Sequence, residues 1–209
     1  MKVWDAATRL YHWAQAVLFV ALLASGNSGN GPHIELGITL LILVVWRLIW
    51  GFVGSETSRF ATFTHSPAVT WRYITGKVKA QFGHNPLGAW MVITLVGSLL
   101  IQCISGLALA GLLDGLPLAG WWLTDDVFAL FESLHVVLAT VLPALVGLHL
   151  VAILVYKLRG KALVKAMITG FTQPTGIAAQ PQFASQGYAF LVLVVAALVT
   201  MATIAFSTL

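Results

Sequence analysis

Apolar positions in this chain come in long runs, and the polar positions collect in the stretches between them. The runs are Tyr11–Gly26, Ile34–Val53, Ala89–Leu112, Val127–Tyr156 and Tyr188–Phe206. Most of them reach or exceed the ~20 residues that a helix needs to cross the hydrocarbon of a bilayer. The pattern predicts an all-α membrane bundle of five transmembrane helices in one domain. Lys2 and Arg9 ahead of the first run, and Ala24-Ser25-Gly26 behind it, also suit a signal peptide. Arg9 and His12 have uses within a retained helix, described below, and the run is read as one.

The connections refine this picture. Residues Gly54 to Pro86 form the longest one, with Pro67, Gly76 and a basic stretch at Lys77–Lys79. It is expected to lie along the membrane surface, with a short interfacial helix at Val69–Val78 carrying Trp71 and Tyr73. Pro86 suits the first turn of the third long helix, with Asn85 as its cap. A stretch rich in Gly, Pro and Gln from Gly170 to Gly187 leads to the last helix, which has no ionisable residue and reads as a packing or partner-docking element.

Composition agrees: 59% of the 209 residues are hydrophobic and 9% charged. A single cysteine, Cys103, excludes a disulfide framework, and no C-x-x-C-H haem-attachment signature is present. Charge then orients the bundle. With the amino terminus inside, all eleven Lys and Arg residues fall on the cytoplasmic side. The opposite side holds Asn27–Pro32 and Leu113–Asp126, where Asp114, Asp125 and Asp126 are the charged residues. That asymmetry obeys the positive-inside rule and places the carboxyl terminus on the outer side of the membrane. The basic balance reflects topology and contact with the lipid bilayer, and nucleic acid is not an expected partner.

Histidines carry the chemistry. His12 opens the first helix on the inner side and His33 opens the second on the outer side. His135 and His149 lie fourteen residues apart on the fourth. Fourteen steps of 100° fall ~40° short of four turns, so these two share a face, ~21 Å apart along the axis. Matching depth gives the pairs His12 with His149 and His33 with His135. Each pair can clamp a haem iron between two neutral imidazoles, and polar groups inside a membrane are functional by default. Gly26, Gly37, Gly106 and Gly147 are candidates for making room for a flat macrocycle, or for ordinary helix packing. Arg9, one turn before His12, is placed to pair with a haem propionate or to set topology. His65 reads as a structural or solvent-exposed loop residue.

Thr8-Arg9-Leu10-Tyr11-His12-Trp13, His33 with Gly37, Arg47-Leu48-Ile49-Trp50-Gly51-Phe52, Gly83-His84-Asn85-Pro86-Leu87-Gly88, and His135 with His149 together resemble the bacterial cytochrome b561 and nickel-iron hydrogenase cytochrome b superfamily. The cytochrome subunit of formate dehydrogenase is also a member. The resemblance covers about Val3 to Gly170. It implies a four-helix core with two b haems, residues 1–170 with helices at about 11–27, 33–54, 87–112 and 127–157. Residues 171–209 are then a linker and a fifth transmembrane helix. In relatives of the formate dehydrogenase type, an asparagine at the start of the third helix lines a quinone site. The similar position here is Asn85, with His84 as a proton-handling neighbour; capping and solvation are the competing roles.

The reading reached is membrane electron transfer by a di-haem b cytochrome between the quinone pool and a periplasmic c-type cytochrome or redox enzyme subunit. An acidic outer surface with Trp121, Trp122, Asp125 and Asp126 is the expected docking face. Two redox alternatives remain. A quinone-coupled superoxide oxidase is disfavoured by the absence of outer basic residues. A ferric reductase-like core normally carries two helices with histidines fourteen apart, and here there is one. A proton relay lacks membrane carboxylates beyond Glu35 and Glu132, both near the outer surface.

Overall fold

A computed structural model describes residues 1–78, 83–173 and 180–207. Lys79, and part of the linker between Gly170 and Gly187, lie outside the described residues. The first helix, α1 (Ala6–Ser28), begins where Asp5 takes an extended conformation and accepts a hydrogen bond from the Thr8 amide at 2.6 Å. The Asp5 carboxylate is fully buried. It also accepts from the Thr8 hydroxyl at 2.9 Å and from Ser58 Oγ at 3.3 Å, while Trp50 Nε1 donates to Thr8 Oγ1 at 3.2 Å. A buried carboxylate is tolerated when its lone pairs are met in this way, and the network ties three segments distant in sequence at one end of the molecule.

The remaining helices are α2 (His33–Val53), α3 (Phe60–Phe63), α4 (Pro67–Ile74), α5 (Pro86–Leu109), α6 (Ala119–Trp122), α7 (Asp125–Leu158), α8 (Leu163–Thr169) and α9 (Gln186–Ser207). A 3-10 turn at Glu56–Ser58 follows α2. No strand occurs among the described residues. The nearest feature is a single bridge between Lys2 and Phe171. By length and composition α2, α5, α7 and α9 are apolar enough to cross a membrane. The expectation of five such helices is not met on that measure. Thr8, Arg9, His12, Gln15, Ser25 and Asn27 make α1 more polar than the others although it is as long.

Packing is organised around α2, which lies against α1, α5 and α9. The core between α2 and α5 is built from Leu40, Leu41, Val44, Val96, Leu99 and Cys103. On the other flank, Trp46 and Trp50 stack at 5.3 Å, Trp46 also meets Tyr11 of α1, and Trp46 Nε1 donates to the Ala189 carbonyl of α9 at 3.1 Å. The last helix is therefore a packing partner of α2, its small residues Ala189 and Ala196 buried at the contact. By contrast, α7 rests mainly on α5, and only 6% of its most apolar stretch is buried.

The two ends of the bundle are chemically distinct. One end gathers the start of α1, residues 55–78 and 83–88, the end of α7, α8 and the start of α9. At the other end, Ser25 meets His33 and the Gly115 amide donates to Ser207 Oγ. Helix α1 thus runs from one end to the other beside α2. Arg47, near the end of α2, is buried. The turn after α2 folds back over it, leaving it 3% exposed beneath Phe60 and Phe63, with ring centroids 5.0 and 5.9 Å from its guanidinium carbon. Flat aromatic faces suit a weakly hydrated guanidinium.

Candidate functional site

Three helices deliver the four membrane histidines. His12 stands two turns into α1, His33 is the first residue of α2, and His135 and His149 lie on α7. The fold brings them together in two pairs. The ring centroids of His12 and His149 are 6.4 Å apart with planes at 52°, and those of His33 and His135 are 6.4 Å apart with planes at 78°. Pro143 lies in α7 between the two pairs. Its missing N–H leaves the carbonyl four residues earlier without its helical partner.

The surroundings of the two pairs differ. Ser25 Oγ donates to the Leu22 carbonyl at 3.1 Å and lies 2.9 Å from His33 Nδ1. Since the hydroxyl proton is already committed, the ring nitrogen is the donor and Nε2 is left bare. His135 repeats the arrangement. Its Nδ1 lies 3.1 Å from both Ser105 Oγ and the Gln102 carbonyl, while Ser105 Oγ donates to that carbonyl at 3.0 Å. A carbonyl can only accept, which fixes the proton on Nδ1 here too. At the other level His12 Nδ1 is buried and has no partner.

Glycines make the close approaches. A Cβ on Gly26 would stand 3.2 Å from His33 Cε1, and one on Gly106 would stand 3.0 Å from His135 Cε1. Gly37 and Gly147, singled out with them in the sequence, face open space. Ser25 and Ser105 were not anticipated. Their signal is the Ser-Gly dipeptide, present at both sites.

The other candidates divide. Arg9 sends Nη1 to the Ile168 carbonyl of α8, and its Nε is buried without a partner. Asn85 caps α5, its Oδ1 accepting from the Gly88 amide at 2.9 Å, and its side chain also interacts with the Tyr156 hydroxyl. Tyr156 lies 3.2 Å from Tyr73 Oη. Both tyrosines were missed in the sequence, although Tyr156 follows His149 by seven residues and so shares its face of α7. His84 turns away, its ring between Trp4 at 4.8 Å and Phe63 at 4.6 Å. Burial, with a smaller effect from Arg47, pushes its pKa down to about 3. Its Nδ1 is buried without a hydrogen-bond partner. No group of three or more His, Cys, Asp or Glu gathers into a metal site among the described residues.

Membrane-length apolar helices define a multi-pass membrane protein. The chain belongs to the prokaryotic cytochrome b561 family, whose model matches residues 3–170. It is similar to a probable Ni/Fe-hydrogenase B-type cytochrome subunit of Azotobacter chroococcum mcd 1, with 28% identity over 57% of this chain and 62% of that protein. A protein described in the same words from Azotobacter vinelandii matches with the same identity and coverage. The chain therefore spans less than two thirds of these relatives' length. No solved structure matches it significantly. Membership of a b-type cytochrome family implies haem b.

Proposed function

We propose that the chain is a di-haem b cytochrome carrying electrons between membrane quinone at its basic end and a redox protein at its acidic end. The observation that supports this most directly is the equal spacing of the two histidine pairs, 6.4 Å in each case. Two imidazoles on opposite sides of one metal ion, each bonded at about 2 Å through a nitrogen about 1 Å from the ring centre, bring their centroids to about 6 Å. His12 with His149 would hold the inner haem, and His33 with His135 the outer one.

The residues fit the group in other respects. All four ligands are imidazoles, the donor type that holds b haem. The buried Nδ1 of His12 lacks a partner, and Gly26 and Gly106 clear the outer rings. The Nε of Arg9 is free to meet a propionate. Haem b, when bound, supplies reversible one-electron chemistry. The chain contributes ligand orientation, burial and the exclusion of water.

In this reading α1 is a fifth membrane crossing, supported by its course from one end of the bundle to the other. The amino terminus is cytoplasmic and the carboxyl terminus periplasmic in a bacterial inner membrane. Quinone is met by Asn85, Tyr156 and Tyr73, which share one polar cluster at the inner end. The partner docks at the outer end, where Asp125 and Asp126 begin α7 and Trp121 is 84% exposed. The relatives named as hydrogenase cytochrome subunits favour an enzyme subunit as that partner; a c-type cytochrome suits the same acidic surface.

A reduced-minus-oxidised spectrum of purified protein, with a pyridine haemochrome count per chain, tests the proposal. Two noncovalent b haems are expected. One would break a histidine pair, and none in fully loaded protein would overturn the reading.

A further inference from the structure

Serine and glycine occur as neighbours at both sides of the outer histidine pair, Ser25-Gly26 on α1 and Ser105-Gly106 on α5. In each, the serine hydroxyl donates three residues back along its own helix, to Leu22 or Gln102, and turns a lone pair to a histidine Nδ1. In each, the glycine leaves the space that the Cε1 edge of the same ring occupies. The two rings come from different helices, α2 and α7, and so do the two cradles. Among the described residues the inner pair has nothing comparable: His12 Nδ1 is buried with no partner, and its ring meets Trp13 edge-on at 5.2 Å.

We infer that the paired Ser-Gly dipeptides are an orienting cradle that locks the tautomer and ring plane of His33 and His135 and lowers the reduction potential of the haem they hold. The inference rests on the proposed haem ligation. A serine that accepts from Nδ1–H fixes Nε2 as the iron ligand and makes it more electron-rich. A richer ligand favours ferric over ferrous iron, so loss of the bond raises the potential. Because Ser105 is fully buried and Ser25 nearly so, water does not replace either hydroxyl when it is removed.

Redox titration of the full-length haem-loaded protein tests this, with the outer haem identified as the one lost in His135→Ala. Ser25→Ala and Ser105→Ala are expected to keep two haems. Each should raise the outer potential by a tenfold change in the reduction equilibrium, about 59 mV for one electron, with the inner potential unmoved. Ser25→Thr keeps the hydroxyl and should keep the wild-type potential. Gly106→Ala forces the His135 ring to turn and should alter the low-spin ferric resonance of the outer haem. Gly97→Ala, placed where a Cβ meets nothing within 4 Å, should not. Unchanged potentials in both serine variants with two haems retained, or equal shifts of both haems, would overturn the cradle and leave the ligand assignment standing. A wild-type protein without an outer haem would instead overturn the ligation itself.

Discussion

The imidazoles of His33 and His135 face each other at 6.4 Å with planes 78° apart, and each holds its Nδ1 against a serine of a third or fourth helix. The orientation of this pair is thus set by hydrogen bonds donated to α1 and α5 as well as by the helices that carry the rings. Truncation of one member should leave the other ring in place. His135→Ala is expected to reduce the haem count from two to one, and His149→Ala to remove the other haem. Loss of both from either variant would contradict independent pairs; the haemochrome count and redox titration report it.

Asp5 anchors the basic end. Asp5→Ala removes the cap of α1 and the acceptor shared by the Thr8 and Ser58 hydroxyls, which lie 2.8 Å apart and keep each other as partners. Capping losses are ~1 kcal/mol, and the one hydroxyl left without an acceptor adds ~1–3 kcal/mol, so a clear fall in thermal midpoint in detergent is expected. Asp5→Asn keeps an acceptor at the cap and should lose less.

Stability should also fall in mild acid because of His84. Its folded pKa is depressed to about 3 by burial and by Arg47, against ~6.5 in an unfolded chain. Between those values the unfolded state binds the extra proton, so stability rises with pH across this window and is fully present above ~6.5. Thermal midpoints measured from pH 7.5 to 4.5 should decline less steeply in His84→Gln than in the parent. Parallel declines would show that the ring is not the titrating group.

Quinone chemistry should depend on the cluster below His149. Tyr156→Phe removes the hydroxyl that meets both Tyr73 and Asn85 while keeping the ring. It is expected to slow quinol-dependent haem reduction about tenfold or more, in the range of a lost general acid-base contribution, with the haem count intact. Reduction by dithionite should be unaffected; unchanged quinol kinetics would move the site elsewhere.

The long helices were legible because membrane crossing imposes a length and an apolarity that few other constraints resemble. Their observed limits, such as His33–Val53 and Pro86–Leu109, lie within a few residues of those expected. The proximity of His12 to His149, and of His33 to His135, followed from topology and the fourteen-residue spacing on one helix. What sequence could not supply was three-dimensional satisfaction of polar groups. The cover that Phe60 and Phe63 form over Arg47 depends on the turn after α2 folding back. His84 resembled a titrating residue until Trp4 and Phe63 enclosed it. Ser25 and Ser105 are ordinary small residues in sequence and become histidine partners only through contacts across helices. The short α8 and its contact with Arg9 also depend on such contacts.

Because α7 contributes one histidine to each pair and comes late in the chain, neither pair exists until this helix has been made and packed on α5. Until then His12 and His33 have no opposite imidazole. If the pairs hold haem as proposed, capture of the cofactor is the last act of folding, and a chain cut short before α7 should hold none.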